Sequence, residues 1–436
     1  MEAPNSPGPE VGTDDELMAY ARRVGLTLHH PVGTCRMGSD ADSVVDPQLR
    51  VRGVEGLRVI DLSQFLPGPQ LTLMMADQGA EVIKIEPPGE GEPGRHIGVR
   101  DGEHTVFFRN TQRGKRSVCL SLKNPEDRES LLRLCDTADV FVEAFRPGVV
   151  KRLGVDYDTL AARNPRIVYC SISAFGQTGP YRDLPAHDLA IESLAGVVSL
   201  NLGNDGEPVM PHVPAADMAA SMLALSGVLM ALYRREKTGL GDYLDIAMFD
   251  SILAWTPNIT SQVFANKRPP IVKHERSLGG SAFYNIYRTR DGKHVVLGAQ
   301  EIKFVRNLLQ ALGRAEFVEL CERGPGPHQA PLIAFLRETF AARTRAEWIE
   351  WFAGKDVSFA PVHDLREAFD DPQAEARQMR LLDAEGREHI GIPIKFAREP
   401  GVARLTLPAL GEHNADYVGS PGIGRASCRE RVFRAV

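Results

Sequence analysis

Apolar residues fall along the chain in short blocks separated by amphipathic stretches, and the alternation becomes regular from Leu57 onward. Residues 57–62 form a short apolar run. An amphipathic stretch over 68–79, opened by Pro67-Gly68-Pro69, leads to a second apolar run over 81–86, closed by Pro87-Pro88-Gly89. Strand, helix and strand at this spacing predict a βαβ unit with a parallel pair. The pattern repeats, with strands over 117–122, 140–143, 167–172 and 243–247 and helices over 125–137, 189–196 and 218–237. Met222, Leu225, Leu229 and Leu232 fall on one stripe of the longest helix. These elements predict an open, doubly wound α/β domain over 56–260. A smaller α+β domain is expected over 277–362, with a hairpin over 283–297 turning at Asp291-Gly292. Residues 363–418 read as a return to the larger domain.

Composition narrows this picture without redirecting it. The 436 residues are 43% apolar and 25% charged, as in ordinary globular chains. A net charge of -6 gives no general reason to expect nucleic-acid binding. No apolar stretch is expected to reach the roughly 18–20 residues that span a bilayer. Residues 1–14 lack the basic and apolar regions of a signal peptide. Six scattered cysteines, with no CxxC and no metal-ligand spacing, read as reduced thiols of a cytoplasmic protein holding no metal. Gly89, Gly91 and Gly94 match GxGxxG, but Pro93 intervenes and no helical pattern starts there, so a loop is expected instead of a dinucleotide site.

The two ends do not match the middle. Residues 1–55 open on a Pro- and Gly-rich acidic segment that reads as a linker. His29-His30-Pro31-Val32-Gly33-Thr34 and Val45-Asp46-Pro47 come next, and 14–61 resembles a C-terminal fragment of the glucose–methanol–choline (GMC) flavin oxidoreductases. The resemblance implies a catalytic base at His30. The flavin-binding strand and glycine turn of that family are not in this sequence, so His30 is expected to do no chemistry here. Residues 56–61 fit both the end of this fragment and the start of the central unit. At the other end, 423–432 resembles one translated frame of a sequencing adapter. Both 1–55 and 419–436 are therefore expected to be foreign to the central unit.

The centre carries ordered motifs: Leu62-Ser63-Gln64-Phe65-Leu66-Pro67-Gly68-Pro69, Gly79-Ala80-Glu81-Val82-Ile83-Lys84-Ile85-Glu86, Val142-Glu143-Ala144-Phe145-Arg146-Pro147-Gly148, Phe175-Gly176-Gln177-Thr178-Gly179-Pro180 and Gly411-Glu412-His413. Across about 55–418 they resemble the family III CoA-transferase superfamily, which includes α-methylacyl-CoA racemase. The resemblance implies a Rossmann-like large domain with a smaller α+β domain. It also implies an interlocked homodimer with the site between subunits, and acyl-CoA and carboxylic-acid substrates without a permanently bound cofactor. It does not point to a nucleic-acid or membrane partner.

By the same resemblance, Asp217 in Pro214-Ala215-Ala216-Asp217 is the nucleophile that carries an acyl group and then CoA. Its place before an apolar helix also fits a plain N-cap. His187, followed by Asp188, matches the racemases' second proton-transfer group, and Glu301 their third polar residue. Arg152 matches a CoA-binding arginine, since a guanidinium grips phosphate in two bonds. Arg146 with Ala144 and Phe145 lies on the matching post-strand loop, and Leu120, Ser121, Leu122 and Lys123 match the adenosine side. The chain departs from family patterns at Leu66, where some transferases have Gln, and at Pro87, where some members have a CoA-contacting Arg. Ala186 and Met218-Ala219-Ala220 depart from racemases. Transfer is the first expectation, racemisation the second, and an inert chimera the alternative of another class.

Overall fold

The computed structural model of the chain describes residues 56–203 and 205–418. The chain divides between Gly56 and Leu57, and the described elements belong to the unit that starts at Leu57. His30 and the rest of 1–55, together with 419–436, lie outside the described residues.

β1 (Arg58–Asp61), α1 (Pro67–Asp77) and β2 (Glu81–Glu86) form the opening βαβ unit, with Val59 beside Val82 and Ile60 beside Ile83 in a parallel register. The winding continues through α2 (Val106–Gln112), β3 (Arg116–Cys119), α3 (Pro125–Cys135), β4 (Val140–Glu143), α4 (Val149–Leu153), α5 (Tyr157–Arg163) and β5 (Val168–Ser173). It closes with α6 (Asp188–Leu194), α7 (Ala215–Thr238), β6 (Asp242–Ala247) and α8 (Met248–Ala254). The six strands pair in parallel in the order β3-β2-β1-β4-β5-β6, the Rossmann arrangement.

A parallel sheet covered on both faces needs strands that are apolar throughout, not alternating. Val59, Ile60, Val140, Phe141, Val142 and Val168 are all 0% exposed, which is why consecutive apolar residues mark the strands in the sequence, while Asp61, Lys84 and Glu86 are buried polar positions within them. One face packs Val59, Val82, Val142 and Cys170 against Leu71 of α1, Ala220 and Val228 of α7 and Ile252 of α8. The other packs Ile60, Ile83 and Phe141 against Leu131 of α3 and Leu160 of α5.

The stripe read on α7 is half buried. Leu225 and Leu232 are buried, but Met222 and Leu229 are 40% and 51% exposed. The inward face is built from Ala216, Ala219, Ala220, Ser221, Ala224, Val228 and Ala231. Small side chains let the helix axis approach the sheet closely, with Leu225 and Leu232 buried beside them and Met222 and Leu229 turned outward. α7 also corrects the expectation about apolar length. Over 24 residues it is long and apolar enough to cross a membrane by length and composition. Its buried face is the core of the doubly wound domain.

The smaller region has an antiparallel sheet of β7 (Tyr284–Arg288), β8 (His294–Gly298) and β9 (Phe359–Pro361), with β8 central. Gly292, at φ +76°, makes the hairpin turn. α9 (Ile302–Ala311), α10 (Ala330–Ala341) and α11 (Arg345–Phe352) enclose Phe283, Tyr287, Val295, Leu308, Leu336 and Trp348. The chain then returns to the large domain and closes its edge strand. Asn414 bonds both the N–H and the carbonyl of Cys119, at 2.8 and 3.1 Å, and the His413 N–H donates to Ser117 at 3.0 Å.

Candidate active site

In a sheet of this order, the connections leaving β1 and β4 run to opposite faces, and a crevice opens beyond their carboxyl ends. A cleft of about 920 Å³ occupies that place. Gln64 and Phe65 line it from the loop after β1, and Ala144, Phe145 and Arg146 from the loop after β4. Arg182 and His187 line it from the β5–α6 connection and Asp217 from α7. GxGxxG is not part of the cleft. Only a 3₁₀ turn, Pro93–His96, follows it, and Arg95 is paired there with the buried Glu86 at 2.7 Å.

The loop after β1 is held from below. Asp61, 0% exposed, accepts from the Ser63 N–H at 3.0 Å and the Thr72 hydroxyl at 2.7 Å, and pairs with Lys84 at 3.3 Å and Lys115 at 3.1 Å. Lys84 also donates to the Ser63 carbonyl, and Lys115 to the Pro69 carbonyl at 2.9 Å. Only glycine fits at 68, because a Cβ there would stand 2.2 Å from the Ser63 side chain. Held at both ends, the loop carries Phe65 at φ +62°, a left-handed conformation that non-glycine residues rarely adopt. Its ring meets the His187 ring edge-on, with centroids 6.0 Å apart.

Asp217 is the third residue of α7 and not its cap. Pro214 occupies the N-cap and has no side-chain acceptor. The orphan N–H groups of the first turn are met from α6: Ala215 donates to Glu192 at 2.9 Å and Asp217 to Asp188 at 3.0 Å. The Asp217 carboxyl is thereby left to the cleft. One turn on, the Ser221 hydroxyl donates to the Pro67 carbonyl at 2.7 Å and fastens α7 to the Phe65 loop. Burial, then the charges of Asp188 and Glu192, push Asp217 up to about 7. Glu192, 0% exposed, is also raised, first by burial, with the charge of Asp188 adding to it.

The cleft therefore brings together Asp217, His187, Arg146, Ala144 and Phe145 of the residues singled out in the sequence, with Asp188 directly behind Asp217. It does not take in the others. Glu301 is exposed at the N-terminus of α9 in the smaller region. Arg152 is exposed on the last turn of α4. Leu120 is buried in the core, Leu122 packs partly buried against that same cluster, Ser121 donates its N–H to Asp127 at 2.8 Å, and Lys123 is exposed. Leu66 and Pro87 also lie outside the cleft. Two residues were not anticipated. Arg182 follows the glycine turn and carried its signal only as a charge near His187. Glu192 is a buried acid on a seven-residue helix too short to show a periodic face.

Fold and cleft define a doubly wound α/β protein with a crevice at its switch point. The family model for CoA-transferase family III matches residues 54–414, and the chain belongs to that family. It is a CoA-transferase. The acetyl-CoA:oxalate CoA-transferase of Acetobacter aceti is 34% identical over 364 residues, covering 80% of this chain and 92% of the relative. The succinate–glutarate CoA-transferase of Agrobacterium fabrum is 31% identical, covering 84% of this chain and 94% of the relative. A CaiB/BaiF family protein from Brucella suis superimposes with a TM-score of 0.72 at 30% identity, covering 84% of this chain and 98% of that structure. A GMC oxidoreductase model matches residues 1–76 and so overlaps the CoA-transferase match over 54–76. Within the overlap, β1 and α1 belong to the six-stranded sheet domain.

Proposed function

We propose that Asp217 is the nucleophile of a two-stage transfer of CoA between carboxylic acids. The Asp217 carboxylate attacks the thioester carbonyl of the donor and expels CoA thiolate, leaving a mixed anhydride. The thiolate then attacks the Asp217 carbonyl, releasing the donor acid as its carboxylate and leaving an Asp217–CoA thioester. The acceptor carboxylate attacks that thioester, expels the thiolate and forms a second anhydride. Thiolate attack on the acceptor's carbonyl gives the new acyl-CoA and restores Asp217. The observation that carries this reading is a carboxyl set in the cleft wall whose helix is capped by other residues, so that no structural bond competes for it. Arg146 suits the phosphates of CoA, with Ala144 and Phe145 beside it in the cleft and the exposed Arg152 and Lys123 farther out, and no resident cofactor or metal is required.

A homodimer in the cytoplasm is part of the same proposal. Met230 and Tyr233, 71% and 69% exposed on the outer side of α7, supply an apolar surface that a second copy would cover. The test is to incubate the enzyme with acyl-CoA alone and add hydroxylamine. Asp217 hydroxamate in the digested peptide is the expected result, and a peptide left unmodified overturns the mechanism. Racemisation is the second reading, favoured by His187 and Asp217 sharing one cleft. It calls for deuterium uptake at the α-carbon of a chiral 2-methylacyl-CoA in deuterated water, lost in His187→Ala.

A further inference from the structure

The loop after β4 brings Arg146 to the cleft, and the β5–α6 connection brings Arg182 and His187. One row of polar side chains ties both to the sheet. Glu143, Ser171 and Asp245 are register partners on β4, β5 and β6, so they stand side by side on one face near the carboxyl ends of those strands. At one end of the row, the Phe145 N–H donates to Glu143 at 2.8 Å. At the other, Gln177 makes two bonds: its side-chain amide donates to the Ser171 hydroxyl oxygen at 3.0 Å, and its N–H donates to Asp245, also at 3.0 Å. Gly176, at φ +82°, makes the turn just before it. Burial, with the charge of Asp245 adding to it, pushes Glu143 up to about 7, and its acid and its anion can both accept from the Phe145 N–H.

Past Gln177 the connection makes no further hydrogen bond to the sheet among the described residues. Its own bonds are local: the Arg182 N–H donates to the Gly179 carbonyl at 3.4 Å and the Leu184 N–H to the Tyr181 carbonyl at 2.9 Å. Apart from the ring contacts of Tyr181 and His187, the next fixed point is α6, where Asp188 accepts from the Asp217 N–H at 3.0 Å. Arg182 and His187 are therefore suspended between two anchors, and Gln177 is the first of them. We infer that Gln177 is a positioning residue of the cleft: through Ser171 and Asp245 it sets where the wall carrying Arg182 and His187 stands against the loop that Glu143 holds. Gln177 does not itself line the cleft, so it acts through that wall. The consequence for turnover rests on the transferase reading, and the consequence for His187 does not.

The experiment is a double-mutant cycle of Gln177→Ala and Ser171→Ala, read in two ways. The first is nuclear magnetic resonance of the histidine rings in the free enzyme, with the His187 signal assigned from His187→Ala. Gln177→Ala should shift the His187 signal and leave that of His294, in the smaller region, in place. An unmoved His187 signal overturns the proposal whatever the cleft binds. The second is transfer from acetyl-CoA to succinate. Gln177→Ala should lower kcat about 10- to 100-fold, the cost of misplacing groups around a reacting centre. Ser171→Ala should lower it as well, and the double variant should be no slower than the slower single one, because both substitutions break the same tie. Losses that multiply overturn the proposal, and so does a loss accounted for by the fall in folded fraction alone. A shifted His187 signal in an enzyme that transfers no CoA supports the positioning and removes the transferase reading.

Discussion

Asp61 and Asp217 are both withdrawn from water near the carboxyl edge of one sheet, and the protein treats them in opposite ways. Asp61 is surrounded by donors: two lysines, two hydroxyls and a backbone N–H. Burial alone would raise it, but Lys84 and Lys115 hold it well below the usual carboxylate range. Asp217 has acids for neighbours, and burial with Asp188 and Glu192 moves it up to about 7. A fully bonded charge is a fixture. A charge left unpaired against its own environment is a group kept for something else, and perturbed groups in clefts are where chemistry is found. The first cluster fixes the loop on which the second depends.

The largest effect that separates the two is on turnover. Asp217→Asn is expected to lower kcat by at least about a thousandfold, because an amide cannot form the anhydride. The same variant should be more stable than the wild type, in a pH-dependent way. Between its ordinary 3.8 and about 7, the folded protein keeps a proton on Asp217 that the unfolded chain has released, so stability falls as pH rises through that window. Asn removes that loss. Melting curves should show the variant's advantage at pH 8 shrinking toward nothing at pH 4. Wild-type kcat/KM should fall about tenfold per unit below pH 7 as the nucleophile is protonated. An Asn variant no more stable than the wild type at pH 8 would mean that Asp217 is already paired.

Asp61→Asn is the opposite case. It leaves Lys84 and Lys115 buried without their shared partner, and breaking a buried pair in this way costs about 3–5 kcal/mol. Asp61 is depressed in the folded state, so its contribution is present above its ordinary 3.8 and is lost only as pH falls below that. Denaturant titration at pH 5, well below the value of about 8 to which burial lowers Lys115, should show the large deficit. A variant within about 1 kcal/mol of the wild type would remove the distinction between fixture and reactive group.

How far each cluster was legible in the sequence depends on the same difference. The strands were legible because their apolar residues, Val59 and Ile60, Val82 and Ile83, and Val140 to Val142, lie side by side instead of alternating, and the bounds of 81–86 and 140–143 match the observed strands. The buried face of α7 was not. Periodicity weights large side chains, and here a row of alanines shares that face with Leu225 and Leu232. Asp217 and His187 stood out through motif resemblance, and the structure puts them in one cleft. Glu192 and Asp61 could not be placed that way. A buried acid is recognised by what surrounds it, and Lys84, Lys115 and Thr72 meet Asp61 only after three elements have packed. Glu301 and Arg152 were singled out by position in a motif, and neither lines the cleft of this chain.

The smallest effect probes the link between the two clusters. If the Asp61 network forces the Phe65 backbone to φ +62°, the strain belongs to the loop and survives removal of the ring. Ala and Gly then become a matched pair at 65, since both lose the edge contact with His187 and only Ala keeps a Cβ in the left-handed region. At most sites glycine is the less stable of the two by about 0.5–1 kcal/mol, through the entropy of the unfolded chain. At 65 the order should invert, with Phe65→Gly more stable than Phe65→Ala by about 1 kcal/mol, the left-handed penalty less that entropy. Both should lose turnover to a similar degree, because the contact with His187 is gone from each. If Phe65→Ala is the more stable, the loop relaxes once the ring is removed, and it is the aromatic contact with His187 that holds φ positive instead of the lysines beneath.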